Sequence, residues 1–455
     1  MKILILNGSP AGKDSITLQT MEYIQILFPD HEYETLPVAQ KIRSMETDFT
    51  EAKAALEAAE LILFCYPVYT FLVPAQLHRF IELIRENRVD LSGKYASQIS
   101  TSKHFYDMTA HRFIEDACAD LKLFYVRGLS ADMEDILTRK GQKEARDFFR
   151  FLIWNIRQGF YERPSAKGSG RFTPVMAEEA PPSLVKDRLH AALVTDFDPD
   201  RPPEALLAMI RRFERRLPGS CEIVNLREFP FQGGCLGCFH CASDGKCIYK
   251  DGFDTYLREH INSADAVVFA YTIKDHSMGY RFKLYDDRQF CNGHRTVTMG
   301  KPVGYLVDGN LAAEENLRVL MEARSQVGGN FLAGIATDET DPEKEIDRLV
   351  KTLVYAVLHH YSQPKNFYGV GGLKIFRDLI FEMQGLMKED HRFYKKHGFY
   401  DFPQKKMGRV AGMYLVSAMM NSEKIRRKIK FSMTDGMMLS YKKVLEKAKK
   451  ERDFS

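Results

Sequence analysis

Short apolar runs of strand length alternate with helical segments along this chain, and the alternation occurs twice. The first series begins with KILILNG (2–8) and the second with LHAALVTDF (189–197). Continuous apolar runs are typical of strands buried on both faces of a parallel sheet, and the helices between them form the crossovers. AELILFCYPVY (59–69) and ADAVVFAYTI (264–273) hold the same place in each series. The sequence therefore predicts an α/β fold with two tandem, doubly wound parallel-sheet domains.

Composition divides the chain into four parts. ERPSAKGSGRFTPVMAEEAPPS (162–183) is rich in Pro, Gly and Ser and has no apolar period, which is typical of a linker. We therefore expect domains at residues 1–162 and 184–365, joined by a linker at 163–183. Residues 366–455 show no strand pattern and hold 20 Lys and Arg, 10 Asp and Glu, and nine of the nineteen Met. They are expected to form a basic helical extension that packs on the core or offers a surface to an anionic partner or a membrane face.

The charge and hydropathy of the chain restrict its partners and its compartment. A net charge of +4 is too small to indicate a nucleic-acid partner. No run approaches the eighteen or so apolar residues of a transmembrane segment. MKILILNGSP, at the N-terminus, lacks the charged and apolar regions of a secretory signal. We therefore expect a cytoplasmic protein, whose thiols are kept reduced.

Three loops are expected at one edge of the first sheet. NGSPAGKDSIT (7–17) joins the first strand to the first helix, and its small residues and helix-start amides favour an anion. It matches neither GxGxxG nor GxxxxGK[ST], so a tight turn without a ligand stays an alternative. CYPVYTFLVPAQLHRFIE (65–82) and STSKHFYD (100–107) follow the ends of neighbouring strands, where ligands bind in open α/β sheets. A phosphate cradle, an aromatic wall and hydroxyl groups suit a phosphorylated planar cofactor.

These motifs resemble those of the flavodoxin-like NAD(P)H-dependent FMN reductases. The family loop G-S-P-x-x-x-x-S-x-T reads Gly8-Ser9-Pro10 and Ser15-Ile16-Thr17 here, and its P-V-Y motif reads Pro67-Val68-Tyr69. The family often has Arg where Ala11 stands and Asn where Ile16 stands. The resemblance implies two tandem flavodoxin-like domains followed by the C-terminal helical extension. It also implies FMN as cofactor and NAD(P)H as a possible electron donor.

The resemblance also assigns residues to the cofactor. Those implied at the FMN phosphate are Ser9, Ala11, Gly12, Ser15, Ile16 and Thr17. Those implied at the isoalloxazine ring are Pro67, Val68, Tyr69, Thr70, Phe71, Thr101, Ser102, Lys103 and Tyr106. No residue of these loops is assigned as a catalytic acid or base, so the sequence leaves the catalytic residues unknown.

Four of the eight cysteines lie close together in GGCLGCFHCASDGKC (233–247). They are Cys235, Cys238, Cys241 and Cys247. Their C-x2-C-x2-C-x5-C spacing lets thiolates converge on one compact inorganic core, as in ferredoxins. A Zn site more often draws on two separate knuckles, and a reducing compartment disfavours disulfides. The spacing leaves open an iron–sulfur cluster, thiols that hold no cluster, and Zn.

The position of this motif resembles that in the iron–sulfur flavoproteins, a branch of the same superfamily. There, as here, the cysteines lie between the second strand and the helix that follows it. The resemblance implies a [4Fe–4S] cluster that meets the flavin of another subunit. In this chain the two domains are expected to form an internal pseudo-dimer with the same juxtaposition, which can oligomerise further.

The two halves are expected to divide the cofactors between them. The second half has TDFDPDRPPE (195–204) in place of the phosphate loop, and its four acidic residues would repel a phosphate. The first half has no cysteines at the position of the motif. We therefore expect one FMN in the first domain and one cluster in the second.

These features predict a flavin-dependent oxidoreductase that passes electrons between a reduced donor and an acceptor, small molecule or protein, with ferredoxin as one possible partner. One alternative is an FMN-dependent NAD(P)H reductase of quinones or nitro compounds that holds no cluster. The other is a non-enzymatic, redox-sensing binding protein.

Overall fold

A computed structural model describes residues 1–164, 172–181, 189–238, 240–363 and 365–419. The predicted linker lies only partly within these ranges, and residues 420–455 of the predicted extension lie outside them. Residues Met1–Phe393 form one compact unit, and a second unit begins at Tyr394. The predicted boundaries at 162, 183 and 365 stay predictions.

The first half contains a parallel sheet with the strand order β2-β1-β3-β4-β5. A short strand, β6, continues the pairing along β4 beyond β5. The strands are β1 (Lys2–Asn7), β2 (Glu32–Leu36), β3 (Leu61–Pro67), β4 (Tyr95–Ser102), β5 (Phe124–Tyr125) and β6 (Leu129–Asp132). The helices are α1 (Ile16–Leu27), α2 (Val38–Thr47), α3 (Thr50–Ala58), α4 (Ala75–Glu86), α5 (Asp107–Asp120) and α6 (Arg139–Gln158).

The second half contains a second parallel sheet, with the order β8-β7-β9-β10-β11. Its strands are β7 (Leu189–Thr195), β8 (Gly219–Asn225), β9 (Ala266–Thr272), β10 (Pro302–Asp308) and β11 (Phe331–Thr337). Counted from the first strand of each half, both sheets have the flavodoxin-like order 2-1-3-4-5. The predicted fold class of two parallel-sheet α/β domains is confirmed.

Helices cover both faces of the second sheet and continue into the predicted extension. They are α7 (Glu204–Arg216), α8 (His240–Asp244), α9 (Phe253–Tyr256), α10 (Gly279–Arg288), α11 (Glu315–Gly328), α12 (Pro342–Leu358), α13 (Phe367–Glu382), α14 (Lys388–Lys396) and α15 (Met407–Met419). Among the described residues, no helix is long and apolar enough to cross a membrane.

The apolar strands are buried on both faces, as their continuous runs predict. In β1, Ile3 and Ile5 pack into one core cluster while Leu4 and Leu6 pack into another, because successive side chains of a strand alternate between faces. The cluster that contains Leu4 and Leu6 also contains residues of the second half, such as Phe282. The two sheets therefore share one apolar core between them.

Two segments differ from what their local sequence patterns indicate. The apolar run KLFYVRGLS (122–130) is typical of one strand, yet it is interrupted after Tyr125 and forms β5 and the start of β6. YTIKDHSMGYRF (271–282) continues from the end of β9 into α10, which begins at Gly279. The helical period of α10 is hidden because its buried residues include the charged side chains of Lys283, Asp286, Asp287 and Arg288.

Helices α4 and α10 join the two halves through reciprocal contacts. The Ala75 amide, in the first turn of α4, donates to Asp287 Oδ2 at 2.8 Å. The Tyr280 amide, in the first turn of α10, donates to Glu82 Oε1 at 3.0 Å. Ala75 and Tyr280 are 205 positions apart in the sequence, as are Glu82 and Asp287. The same surface on each half therefore contacts its counterpart, which is the pattern of an isologous interface.

A buried ion pair reinforces this contact. The ammonium of Lys283 bonds to Asp287, and neither side chain is more than 1% exposed. Lys283 Nζ also donates to the Tyr69 carbonyl oxygen at 2.7 Å, which ties a loop of the first half to the second. Such a pair offsets its desolvation only while both charges and their hydrogen bonds are present.

Replacing one partner of this pair is expected to be costly. Asp287→Asn leaves the Lys283 ammonium buried without its counter-charge, so the free energy of unfolding should fall by roughly 3–5 kcal/mol. Denaturant unfolding measures this value. Glu57→Gln is the control, because Glu57 forms a surface pair with Lys53 that is about half exposed, and its effect should stay below about 1 kcal/mol. Equal effects of the two substitutions would contradict the role given to the buried pair.

Candidate functional site

Three loops converge at the carboxyl edge of the first sheet. Thr17, in the first turn of α1 directly after the β1–α1 loop, and Thr101, at the end of β4, have their hydroxyl oxygens 2.6 Å apart. The Val68 amide, just after β3, donates to the Thr101 carbonyl at 3.1 Å. The structure thus brings together all three loops that the sequence singled out. They meet where the strand order reverses between β1 and β3, which is the usual ligand position in such sheets.

The β1–α1 loop is closely packed yet keeps hydrogen-bond donors. Ser9 Oγ accepts from the Ala11 amide at 3.3 Å, and Ser15 Oγ caps α1 by accepting from the Leu18 amide at 3.3 Å. Each hydroxyl retains its proton for another acceptor. The first-turn amides of Ile16 and Thr17 have no acceptor inside the helix. These groups fit a phosphate bound at the start of α1.

Gly12 lets this loop close. Its φ of +62° lies in the left-handed region, and an added Cβ would stand 3.3 Å from Gln40 Cδ. Gln40 Nε2 in turn donates to the Ser9 carbonyl at 2.6 Å. Gln40 was not among the expected site residues, because nothing in its local sequence indicates that α2 lies over the loop.

The β3–α4 loop contains a tight turn with strained backbone. Tyr69 and Leu72 exchange backbone hydrogen bonds of 2.8 and 3.0 Å around Thr70 (φ 41°) and Phe71 (φ 70°). Positive φ at two successive residues that are not glycine is costly and is concentrated at functional loops. The second half repeats the turn: Lys274 and Ser277 exchange bonds of 3.0 and 2.9 Å.

The aromatic wall includes residues that the sequence did not indicate. Phe71 packs against Tyr106, with ring centroids 4.7 Å apart. Phe105 packs against Phe376 of α13, at 4.3 Å, so the predicted extension covers the β4–α5 loop. The Lys103 ammonium pairs with Asp132 at 3.1 Å, and Asp132 lies beside Ser102 at the end of β6. Pro67 ends β3, Val68 and Thr70 follow it in the β3–α4 loop, and Ser102 ends β4, where it is 8% exposed.

Tyr69 joins this site to the cysteine motif of the second half. A Cβ on Gly237, whose φ is +63°, would lie 2.0 Å from the Tyr69 hydroxyl oxygen, so only glycine fits there. The Tyr69 ring lies edge-on to Phe290, at 5.9 Å between centroids. Gln76 Nε2 donates to the Cys235 carbonyl at 3.3 Å. One predicted flavin loop therefore contacts the predicted cluster motif directly.

The four motif cysteines are free thiols. Cys241 Sγ donates to the Phe290 carbonyl at 2.9 Å, and Cys235 Sγ accepts from the Gly237 amide at 3.4 Å. Burial raises the pKa of Cys241 to about 11, so its thiol keeps its proton at neutral pH. Among the described residues, no three of these sulfurs lie within 4.8 Å of one another. A tetrahedral Zn site, with Zn–S of about 2.3 Å, needs sulfurs about 3.8 Å apart, so this arrangement is not a preformed Zn site.

Arg288 closes the base of the cysteine loop. Its guanidinium donates two hydrogen bonds to Asp251, at 2.7 and 2.8 Å, and one to the Gly233 carbonyl at 2.9 Å. It also stacks on Tyr249, with the guanidinium carbon 4.5 Å from the ring centroid. The side chain is fully buried. Arg288 thus holds Gly233, two residues before the first cysteine, next to residues that follow the last one.

Two further guanidinium groups border the motif. A Cβ on Gly245 would lie 3.0 Å from Arg295 Nη2, and one on Gly233 would lie 3.4 Å from Arg43 Nη2. Arg288 is paired with Asp251 and Arg295 with Asp390, so these guanidinium groups are already neutralised by carboxylates. The short cysteine spacing itself fits a cluster held by four thiolates.

The corresponding loop of the second half has different electrostatics. Asp196 follows β7 and is 3% exposed, and burial raises the pKa of its carboxyl. Its side chain lies 3.4 Å from Lys274, and its carbonyl accepts from Arg227 Nε at 3.0 Å. A buried carboxyl group with two basic neighbours thus occupies the start of the loop in the second half.

Comparison with known proteins finds a family model that matches the first part of this chain. Residues 1–128 match the family model of NADPH-dependent FMN reductase. An FMN-dependent NADH-azoreductase from Bacillus anthracis, solved with FMN, is 14% identical, with 33% of this chain and 99% of that chain covered and a TM-score of 0.28. The NAD(P)H:quinone oxidoreductase of Methanothermobacter marburgensis is 16% identical, with coverages of 33% and 96% and a TM-score of 0.28. No curated protein matches. The first 128 residues are thus recognised as similar to the NADPH-dependent FMN reductases.

Proposed function

We propose that this protein is a flavin-dependent NAD(P)H oxidoreductase whose first half binds FMN at the three converging loops. The convergence of these loops at the switch point of the first sheet carries the proposal, because it lies within the segment that matches the FMN reductase family. Bound FMN takes up an electron pair from a nicotinamide and can release electrons singly. The chain itself supplies binding, orientation and shielding from water.

The residues that would hold FMN follow from the donors in the first half. Ser9, Ser15 and the amides of Ile16 and Thr17 would bind the phosphate. Phe71 and Tyr106 would border the ring system. Helix α13 covers the β4–α5 loop through Phe376, which supports a role for the predicted extension in excluding water from this side.

We further propose that the four motif cysteines hold a [4Fe–4S] cluster. Their spacing and the contact of Tyr69 with Gly237 support this assignment. Ligation requires deprotonation, so cluster binding would release the proton of Cys241, whose pKa burial raises to about 11. Electrons would then pass between donor and acceptor within one chain, in an internal pseudo-dimer supported by the reciprocal α4–α10 contacts.

Analysis of protein purified without oxygen tests both assignments. We expect one FMN, about four iron atoms and about four sulfides per chain. Flavin without iron would leave an FMN-dependent NAD(P)H reductase that lacks a cluster. Two FMN per chain would contradict the division between the halves. Absence of flavin reduction by NADH, NADPH and reduced ferredoxin would instead favour a non-enzymatic redox sensor.

A carboxylate added at the start of α1 should weaken FMN binding without lowering the stability of the flavin-free protein. Ile16 is 36% exposed, so Ile16→Glu introduces a negative charge without disturbing the core. We expect FMN affinity to fall by about tenfold or more, on the order of 1.4 kcal/mol, because the charge repels the phosphate. The thermal midpoint of the flavin-free protein should not fall, since acidic residues stabilise a helix N-terminus.

Gln25→Glu is the matched control, because it adds the same charge near the other end of α1. Fluorescence titration with FMN measures both affinities. Unchanged affinity in Ile16→Glu would place the phosphate elsewhere.

Loss of one motif thiol should remove iron but not flavin. Cys238 is exposed, so Cys238→Ser should fold, yet it deprives the cluster of a thiolate ligand. We expect iron content to fall to less than about a tenth of the wild-type value, while FMN content and the rate of flavin reduction by NADPH stay unchanged. Cys221→Ser, outside the motif, should retain both cofactors. Full iron content in Cys238→Ser would remove Cys238 from the ligand set.

A further inference from the structure

Three side chains that the proposed function does not use face one another where the halves meet. His78 and Glu82 lie one turn apart on α4, and Asp275 lies in the tight turn before α10. One ligand atom from each lies within 4.8 Å of the other two. In the described part of the chain, these residues form the one group of three or more His, Cys, Asp or Glu with that geometry.

His78 is buried without a hydrogen bond. Its side chain is 0% exposed, and neither ring nitrogen has a hydrogen-bond partner. Nε2 is 3.5 Å from Asp275 Oδ2, which is too far for a good hydrogen bond. A buried polar group without a partner is costly, so a partner for the imidazole nitrogen is expected between these side chains.

Both carboxylates are oriented by donors on their outer sides. Glu82 Oε1 accepts from the Tyr280 amide at 3.0 Å, and Glu82 Oε2 accepts from Arg79 at 2.9 Å. Arg85 contacts Asp275 Oδ1 and leaves Oδ2 facing His78. Metal-binding carboxylates are commonly held in this way by a second layer of hydrogen bonds.

Negative charge is in excess around this point. Arg79 contacts Glu46, Glu82 and Glu86, while Arg85 contacts Asp120 and Asp275. His276 also pairs with Asp120 and Glu314, and the Lys283 ammonium pairs with Asp287. Four basic groups thus stand against seven carboxylates, and this surplus of negative charge favours a further cation beside the imidazole.

In the second half, a lysine occupies the position equivalent to His78. Lys283 is 205 positions from His78, just as Asp287 is from Glu82. The Lys283 ammonium bonds to Asp287 and to the Tyr69 carbonyl. The second half therefore has a buried cation where the first half has an imidazole without a hydrogen bond.

We propose that His78, Glu82 and Asp275 bind a divalent transition-metal ion, with Zn²⁺ as the first choice. One imidazole nitrogen and two carboxylate oxygens suit Zn²⁺, and water completes the tetrahedron. The ion takes the place that the Lys283 ammonium has in the other half, and it links α4 to the turn before α10. This site requires neither the flavin nor the cluster.

The experiment must exclude binding by the cysteine motif. We therefore use a Cys238→Ser/Cys241→Ser background, strip it with a chelator, and titrate it with Zn²⁺ by calorimetry and with Co²⁺ by absorption. The expected result is one ion per chain and a higher thermal midpoint with Zn²⁺. The Co²⁺ spectrum should lack thiolate charge-transfer bands. Absence of uptake, or thiolate bands in the spectrum, would overturn the proposal.

Variants of the carboxylates locate the ion. Asp275→Asn should weaken Zn²⁺ binding at least tenfold and abolish the thermal shift. Glu86→Gln removes a nearby negative charge from an exposed residue that is not a ligand, and it should reduce affinity by less than about threefold. Because Asp275→Asn also alters the Arg85 pair, Glu82→Gln serves as a second ligand variant with the same expected loss. Unaltered binding in both ligand variants would contradict the site.

Discussion

The contact between α4 and α10 is the constraint on which the arrangement of the two halves depends. Each helix offers a first-turn amide to a carboxylate of the other, Ala75 to Asp287 and Tyr280 to Glu82. Ala75 and Asp287 are buried and Tyr280 and Glu82 are partly buried, so small shifts of one half against the other leave polar groups without partners. The interface therefore selects one relative placement of the sheets. The shared apolar core supplies the buried area between the two sheets, and the polar pairs fix the position of one half relative to the other.

That placement brings two different kinds of site together. Lys283 holds the Tyr69 carbonyl, and the Tyr69 hydroxyl lies against Gly237 within the cysteine motif. Arg288 closes the base of the same motif from the end of α10. The helix that forms the interface thus also positions the cysteine loop. On our proposal, a duplicated fold has kept one cofactor site in each half and joined them through this helix.

The sequence predicted the strands of both sheets well because their apolar runs are buried on two faces. It predicted that three loops meet, since parallel strands end at one edge. It did not single out β2, whose EYETL is mostly polar, nor α10, whose buried face carries charged residues. The contact of Tyr69 with the cysteine motif and the group around His78 depend on residues about 200 positions apart. Local sequence patterns do not contain that information. The need for glycine at position 237 can be explained only once Tyr69 is known to lie beside it.

We propose that a flavin in the first half and an iron–sulfur cluster in the second lie next to each other within one chain. A crystal structure of protein purified without oxygen, with anomalous scattering collected at the iron edge, locates both groups. We expect iron scattering at Cys235, Cys238, Cys241 and Cys247, and FMN density at the loop from Ser9 to Thr17. FMN density beside Asp196 in the second half, or no iron scattering at the motif, would contradict this proposal.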